Sequence, residues 1–325
     1  MSDTAIDNAA PPPAPRKKSL LQRVAMMAIT AACFVYLYFR VNGAAERAGM
    51  SLVDYMAGVF ADVAWIPWLL LMMAYSGVYF LIDTAVITQA LGWFIKKIPF
   101  RDIMPIRASA YIISIFNEQI GKGAMAWYLY RRDRVPGWEV GSVMLFIMFC
   151  EMFYLGTWAT IGYFITREDL PEAFDLIPPI AVGAAVFFAL WILYFDGKLL
   201  PGNRLRERRI LDAFRQAKLR HYMGFFLLRS PALLTAVFVY STALGFFGVE
   251  TSVLSLISYL PVIFFAATIP TPMRAAAITS WVILFPSNEG QMAAFGLVQH
   301  NFFIFFNALI GLIFLPRAQR ELAGK

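Results

Sequence analysis

The chain has few of the residues on which enzymes and nucleic-acid-binding proteins depend. Only 15% of its 325 residues are charged, against about a quarter in a soluble domain, and 60% are hydrophobic. It has two histidines, far apart, and two cysteines, Cys33 and Cys150, both inside apolar runs. Histidine-based zinc or haem sites and a disulfide framework are therefore not expected. The composition predicts an all-α membrane protein that crosses the bilayer several times.

Catalytic and nucleotide-binding motifs are also missing from the sequence. Gly121-Lys122-Gly123 has neither the earlier glycine nor the Ser or Thr after lysine that a P-loop uses to hold nucleotide phosphates and Mg²⁺. There is no zinc-protease pair of histidines and no recognisable Ser/His/Asp motif. We therefore expect neither enzymatic activity nor a metal or cofactor.

Basic residues outnumber acidic ones, 28 to 21, and lie mostly in loops between the apolar runs. Lys/Arg-rich loops stay on the cytoplasmic side of a membrane, so nucleic acid is not the expected partner. The richest loop, 198–220, holds eight of them and is predicted to form an amphipathic helix on the anionic inner leaflet. The residues predicted to contact that leaflet are Arg204, Arg206, Arg208 and Arg209.

Six apolar runs are long enough to span a bilayer, and the loop charges place both termini in the cytoplasm of a bacterial inner membrane. The predicted spans are about 20–39, 63–82, 140–165, 180–194, 223–248 and 292–315. The predicted divisions are a disordered tail (1–19), a first membrane repeat (20–165), an external loop (166–179), a second repeat (180–315, with the basic loop 198–220) and a cytoplasmic tail (316–325).

Two further apolar segments are too short or too interrupted to cross, and we predict that each is a re-entrant hairpin. The first, within residues 101–134, has basic residues at both ends, which predicts that it enters the membrane and returns to the same side. Those basic residues are Arg101 and Arg107 before it and Arg131, Arg132 and Arg134 after it. The polar residues at its turn are Asn117, Glu118, Gln119 and Lys122. The second segment, 251–286, is interrupted by three prolines and Arg274; two short spans are the alternative interpretation.

The order span, span, hairpin, span occurs twice, starting from opposite sides of the membrane. This order predicts an inverted repeat with a binding site near the midplane. A short likeness supports the repeat, because Asn117-Glu118 and Asn288-Glu289 each precede glycine and an apolar stretch. Chance similarity in so apolar a chain is the alternative explanation.

Ionisable residues at membrane depth indicate either function or mutual pairing. Lys122 and Arg274 lie where helices are expected to begin or break, and helix N-termini with Lys or Arg nearby attract phosphate. The predicted headgroup-binding residues are Lys122, Arg274, Asn117 and Gln119. The predicted gating residues or counter-charges are Glu118 and Glu151. The alternative is that these charges only pair with each other.

Two other charged residues border the apolar runs. Asp83, at the end of the second run, is expected at the membrane interface, with an ion pair to the first hairpin as the alternative. Arg229 is expected to extend its guanidinium to the cytoplasmic surface.

Residues 114–123 (SIFNEQIGKG) and 128–132 (YLYRR) resemble the membrane domain of lysylphosphatidylglycerol synthases and the related flippase-like integral membrane proteins. Glu151 stands where that family often has a glutamate in the next span, and residues 293–298 (AAFGLV) are similar to its final span. The family usually has a proline and an acidic residue near the first glycines, where this chain has Ile120 and Lys122. The resemblance implies movement or presentation of an anionic or polar lipid.

We therefore predict a flippase-like lipid translocase without nucleotide hydrolysis, whose partner is a membrane lipid. The competing hypothesis is a membrane enzyme, or an accessory subunit of a lipid-biosynthesis enzyme, that acts on a lipid-linked substrate. In that case loop 198–220 would be the docking surface. A third hypothesis is a structural membrane protein whose buried charges serve only to pair.

Overall fold

Long apolar segments fold into helices in this protein because a helix forms its backbone hydrogen bonds within one segment, as a bilayer interior requires. The computed structural model describes residues 20–115, 118–200, 202–269 and 271–323. Within these ranges the chain forms twelve α-helices and no strand. In order they are α1 (Leu20–Arg47), α2 (Leu52–Ala61), α3 (Trp65–Phe94), α4 (Phe100–Ser114), α5 (Glu118–Asp133), α6 (Gly137–Thr166), α7 (Ile177–Phe195), α8 (Asp212–Gln216), α9 (Leu219–Gly245), α10 (Val253–Ala267), α11 (Ala275–Leu284) and α12 (Glu289–Ala323).

Six helices, α1, α3, α6, α7, α9 and α12, form segments long and apolar enough to cross a membrane. They correspond to the six predicted spans, so the all-α, multi-pass membrane fold is confirmed. The helices between them are shorter. For example, α4 has 15 residues, or about 22 Å at 1.5 Å per residue, against a hydrocarbon thickness of about 30 Å.

Several helices extend beyond the predicted spans. α1 continues to Arg47 and α3 to Phe94, while α12 runs to Ala323, so the described part of the predicted C-terminal tail is helical. Apolar runs locate only the apolar part of a helix, and polar contacts extend it. Arg40 and Arg47 of α1 both pair with Glu289 of α12, with N···O distances of 2.5 and 2.6 Å.

The helix ends gather at two faces of the bundle. At the first, which we call the basic end, Lys96 after α3 pairs with Asp133 of α5 (3.4 Å), and Arg132 of α5 pairs with Glu321 of α12 (2.9 Å). Because α12 runs away from this face, its first residue, Glu289, lies at the other face, which we call the opposite end.

Helices α4 and α5 form a hairpin whose outer ends both lie at the basic end. There, Arg132 donates from Nη1 to the carbonyl of Asp102, near the start of α4, at 3.1 Å. At the inner end, Gly121 of α5 packs against Ser114 and the carbonyl of Ala110, leaving no room for a Cβ. Glycine is required by this close approach.

Helices α10 and α11 form a second hairpin whose outer ends lie at the opposite end. The ring of Tyr259 in α10 lies 5.2 Å from that of Phe285, the residue after α11, and α12 begins at Glu289 shortly afterwards. The two hairpins therefore enter the bundle from opposite ends. Their re-entrant position in a bilayer stays a prediction.

Each hairpin packs its first arm against the last span of the other half, α4 along α12 and α10 along α6. Both contacts contain a glycine: Gly311 of α12 touches the carbonyl of Ala108 in α4, and Gly162 of α6 touches the backbone of Ser258 in α10. The second spans, α3 and α9, pack against each other. Two halves related by a two-fold axis would pack in this way, which supports the inverted repeat; the repeat itself stays a prediction.

The short likeness between residues 117–118 and 288–289 does not follow this packing. Glu118 begins α5, a hairpin arm, whereas Glu289 begins α12, a span. In the two-fold arrangement that this packing suggests, α5 corresponds to α11 and α12 corresponds to α6. The likeness is therefore no evidence for the repeat.

The basic loop 198–220 does not form the predicted amphipathic helix. Residues 198–200 make bends and residues 204–207 a turn, and only a short 3-10 turn and the five-residue α8 follow before α9. The loop is held instead by buried Ala213 and Phe214, and the Ala213 N–H donates to Ser142 Oγ of α6 at 2.8 Å. A helix with all its apolar residues on a membrane would forfeit these contacts.

The four arginines predicted to contact lipid have different surroundings in this loop. Arg204 and Arg208 are exposed and Arg206 is partly buried. The guanidinium of Arg209 lies 5.7 Å from the ring centre of Trp138. Arg209 is exposed as well. Contact of these arginines with an anionic leaflet stays a prediction, and Arg204 and Arg208 are the best placed for it, because Arg209 also packs on Trp138.

We expect leucine at Gly162 or Gly311 to destabilise the protein, because the larger side chain would force the paired helices apart. Overpacking a tight contact costs about 1–3 kcal/mol. The measurement is the midpoint of thermal unfolding in detergent. Gly156→Leu in α6 is the matched control, since a Cβ at Gly156 meets no atom within 4 Å. Equal midpoints for Gly162→Leu and the control would contradict the close contact.

Candidate functional site

Four charged side chains from four helices meet inside the bundle. We call them the charged cluster: Asp83 (α3), Arg107 (α4), Glu151 (α6) and Arg229 (α9). Arg107 Nε donates to one oxygen of Asp83 at 2.5 Å, and Arg229 Nη1 donates to the other at 3.2 Å. Arg229 also donates from Nε and Nη2 to Oε1 of Glu151, at 3.1 and 2.9 Å. Arg229 therefore joins two carboxylates and connects α9 to α3 and α6.

Two tyrosines extend the charged cluster. The Tyr111 O–H donates to Asp83 at 3.0 Å, and Arg229 Nη2 donates to the Tyr79 hydroxyl at 2.9 Å. The Arg107 guanidinium lies 4.4 Å from the centre of the Tyr111 ring, and that of Arg229 lies 4.9 Å from the Tyr79 ring. These are cation–π distances, and aromatic faces replace water around both guanidinium groups.

The charged cluster lies at membrane depth. Asp83 is about 17 Å from the end of α3, and Arg229 about 15 Å from the start of α9, at 1.5 Å per residue. Asp83 is 8% exposed and Arg229 is 5% exposed. Two carboxylates and two guanidinium groups make the cluster neutral, so each buried charge has the partner that a dry interior requires.

Glu151 is the most accessible member of the charged cluster. Its side chain is 28% exposed, and both hydrogen bonds from Arg229 reach the same oxygen, Oε1. No described residue donates to Oε2. An accessible carboxylate oxygen beside a buried guanidinium is the arrangement that a gating residue or counter-charge needs; that role stays a prediction.

Three expectations for this region are wrong. Arg229 does not extend its guanidinium to the surface. Arg107 was expected at the basic flank of the first hairpin but lies inside α4, and both side chains are buried. Asp83 is not at the interface: it forms the alternative ion pair with the first hairpin. Arg229 stays inside because Asp83 and Glu151 are within hydrogen-bonding distance, whereas the start of α9 is about 15 Å away.

The second hairpin breaks at a turn with unusual backbone geometry. Met273 and Arg274 have positive φ angles of 51° and 54°, a left-handed conformation that residues other than glycine rarely adopt. Helix α11 begins at the next residue, so Arg274 is its N-cap. Met273 is half exposed and Arg274 is partly buried. Arg274 forms no ion pair with a carboxylate of the described residues.

Three buried polar residues lie beside this break: Tyr240 of α9 and Gln299 and His300 of α12. Gln299 donates from Nε2 to the Tyr240 hydroxyl, and the turn that ends at Arg274 packs against α12. Within the described part of the chain, Gln299 Oε1 and His300 Nε2 have no hydrogen-bond partner. We call Arg274, Tyr240, Gln299 and His300 the Arg274 cluster.

The predicted site residues are only partly located. Glu118, Gln119 and Lys122 lie in the first turns of α5, but their side chains, like the whole of Asn117, lie outside the described residues. Glu151 and Arg274 are both described, and no ion pair joins them. In the described ranges no three His, Cys, Asp or Glu side chains are grouped so that they could hold a metal ion.

Sequence reasoning missed most of both clusters. The available signals were polar residues inside predicted spans: Arg229 among apolar residues of the fifth span, and Gln299-His300 in the middle of the sixth. Arg107, in the apolar first hairpin, was a similar signal. Their partners were not predictable, because Asp83 and Arg229 are 146 positions apart.

We expect Arg229→Met to destabilise the protein strongly, because it leaves the carboxylates of Asp83 and Glu151 short of a partner. Breaking a buried ion pair costs about 3–5 kcal/mol. Unfolding midpoints in detergent measure the effect, with Arg204→Met, in the exposed loop, as control.

The same measurement on a double-mutant cycle tests whether the Asp83–Arg107 pair acts as a unit. Asp83→Asn with Arg107→Gln should cost less than the sum of the two single changes, by about 0.5–3 kcal/mol. Strict additivity would mean that the two side chains act independently.

No protein-family model matches this chain, and no curated protein matches it in sequence. The resemblance to the membrane domains of lysylphosphatidylglycerol synthases therefore stays an expectation.

Proposed function

We propose that the protein moves an anionic or polar membrane lipid between the leaflets of a bacterial inner membrane, without nucleotide hydrolysis of its own. The observation that carries the proposal is Arg274, a cation at a hairpin break between apolar helices with no carboxylate partner among the described residues. An arginine at membrane depth costs about 3 kcal/mol on insertion scales. An anionic headgroup would compensate that cost.

The backbone at the break adds to the attraction for an anion. Arg274 is the N-cap of α11, and a helix of ten residues has a positive partial charge at its start. The first two N–H groups of α11 donate to Pro272 O and Thr271 Oγ1 within the turn, so the helix start attracts an anion through this partial charge. Arginine supplies a planar fork of donors that matches phosphate oxygens. Backbone and side chain therefore favour the same kind of ligand.

The surroundings of the break suit a lipid rather than a free anion. Met273 and Ile269, on either side of the turn, are 50% and 39% exposed on the outside of the bundle. A lipid whose headgroup reaches Arg274 would leave its acyl chains against these apolar side chains.

Transport also needs a binding position accessible from the other leaflet, and we assign it to the first hairpin. The two hairpins enter from opposite ends, and α5 carries Lys122 and Gln119 in its first turns. These residues, with Asn117, would receive the headgroup, and Glu118 would act as a counter-charge. Halves that pack reciprocally can change the exposure of such positions in turn.

The charged cluster would control passage between the two positions. Glu151 bonds to Arg229 through one oxygen and is partly exposed. A passing phosphate would compete with that carboxylate for Arg229, so breaking this pair is the proposed gating step. On the basic end, exposed Arg204 and Arg208 would hold the loop against anionic lipid.

We expect vesicles containing the purified protein to move headgroup-labelled lipids between leaflets, as measured by the loss of label fluorescence on adding a membrane-impermeant quencher. Arg274→Gln should slow this movement about tenfold, the equivalent of one charge-assisted contact. Arg320→Gln, which removes an exposed arginine that donates only to a carbonyl of its own helix, is the matched control.

Two results would decide against transport. No protein-dependent movement across a broad panel of lipids would overturn it. A covalently changed lipid in the same vesicles, detected by mass spectrometry, would favour the membrane-enzyme hypothesis instead.

A further inference from the structure

The Arg274 cluster contains polar groups that the described residues leave unsatisfied. Gln299 and His300 are 1% and 3% exposed, yet Gln299 Oε1 and His300 Nε2 have no hydrogen-bond partner there. Buried polar atoms almost always have a hydrogen-bond partner, so two neighbouring residues with unpartnered atoms indicate a ligand or ordered water. Arg274 supplies guanidinium donors to the same region, and they meet no carboxylate of a described residue.

These groups lie at one depth in the bundle. His300 is about 17 Å from the start of α12, and Arg274 is about 15 Å from the end of α11, at 1.5 Å per residue. The start of α12 and the end of α11 both lie at the face that we call the opposite end, and α11 packs along α12. Tyr240 connects α12 to α11, because its hydroxyl accepts from Gln299 and its ring stacks on Trp281.

The Gln299 amide is held in a fixed orientation. Its nitrogen donates to the Tyr240 hydroxyl, and the Tyr240 ring stacks on Trp281, with ring centroids 5.9 Å apart and planes 10° apart. Trp281 is fully buried. The free amide oxygen is therefore a preorganised acceptor, and a ligand that contacts it must donate a hydrogen bond to it.

Phosphate oxygens alone cannot meet that requirement, because they only accept once ionised. The ligand must also carry a donor, either a hydroxyl or an ammonium group. An ammonium would lie beside the Arg274 cation with no described carboxylate near, which is unfavourable. A hydroxyl has no such cost.

We infer that the Arg274 cluster is a binding site for a phosphate group with a neighbouring hydroxyl. Arg274 binds the phosphate oxygens, aided by the positive partial charge at the start of α11. Gln299 accepts from the hydroxyl, and His300 completes the contacts. The corresponding membrane lipid is an anionic phosphodiester with a polyol headgroup. This inference rests on the proposed function only for taking a lipid as the source; a water-soluble glycerol phosphate has the same chemistry.

Native mass spectrometry of the purified full chain tests the site. The probes are phosphatidylglycerol, zwitterionic phosphatidylcholine and soluble glycerol 3-phosphate, each titrated separately. We expect phosphatidylglycerol to bind about tenfold more tightly than phosphatidylcholine. Arg274→Gln should abolish that preference, and Arg274→Lys should restore part of it.

Variants of α12 separate the site from general stability. Gln299→Leu and His300→Leu should each weaken phosphatidylglycerol binding about fivefold, as expected when one hydrogen bond is lost. Asn301→Ala is the matched control, because Asn301 donates only to a backbone carbonyl of its own helix. Gln299→Glu should shift preference toward phosphatidylethanolamine, a gain that misfolding cannot produce.

The outcomes distinguish this site from the proposed transport. Wild-type binding of phosphatidylglycerol by the Gln299 and His300 variants, or no preference over phosphatidylcholine in the wild type, would overturn the site. Selective binding without movement in vesicles would support the site and overturn transport. Tighter binding of glycerol 3-phosphate than of the lipid would also support the site but argue against a lipid as its ligand.

Discussion

A charge among apolar helices must have a partner, and Arg229 is the side chain through which this bundle meets that requirement. Its guanidinium bonds to Asp83 and Glu151 at once, so α9 has one favourable position relative to α3 and α6. Asp83 in turn holds Arg107, which fixes α4. Removing one member would leave a buried charge uncompensated, a larger cost than never having had the pair. The contacts therefore specify how the spans and the first hairpin meet.

The second hairpin is positioned by different forces. α10 packs along α6 at Gly162 and Ser258, and α11 lies against α12 near Gly296, so close backbone contact takes the place of ion pairing. Small residues allow such contact between helices in lipid, where no hydrophobic force draws helices together. The hairpin can then carry a charge that packing does not need. Arg274 is that charge, and the two halves differ chemically although they pack alike.

The coarse fold was predictable because it depends on composition. Six apolar runs gave six spans, and two interrupted segments correspond to the two helical hairpins. The sites were less predictable because they depend on distant pairs, as Asp83 and Arg229 show. The prediction for the basic loop was wrong for a related reason. Its charges suggested a membrane-surface helix, but Phe214 is buried in the core. Periodicity reports which residues are apolar and not what they pack against.

The absence of a partner for Arg274 is informative because of how this chain treats its other arginines. The arginines that are buried within the described ranges are Arg107, Arg132 and Arg229, and each pairs with a carboxylate. A cation kept inside the bundle only for stability would be expected to follow the same pattern. Partly buried Arg206 also lacks a carboxylate among the described residues, but it lies in the loop 198–220 and not between the helices. Arg274 instead occupies a left-handed turn that itself costs about 1–2 kcal/mol. Strained backbone and an uncompensated charge at one residue lower stability together, and sites that retain both are typically sites of binding.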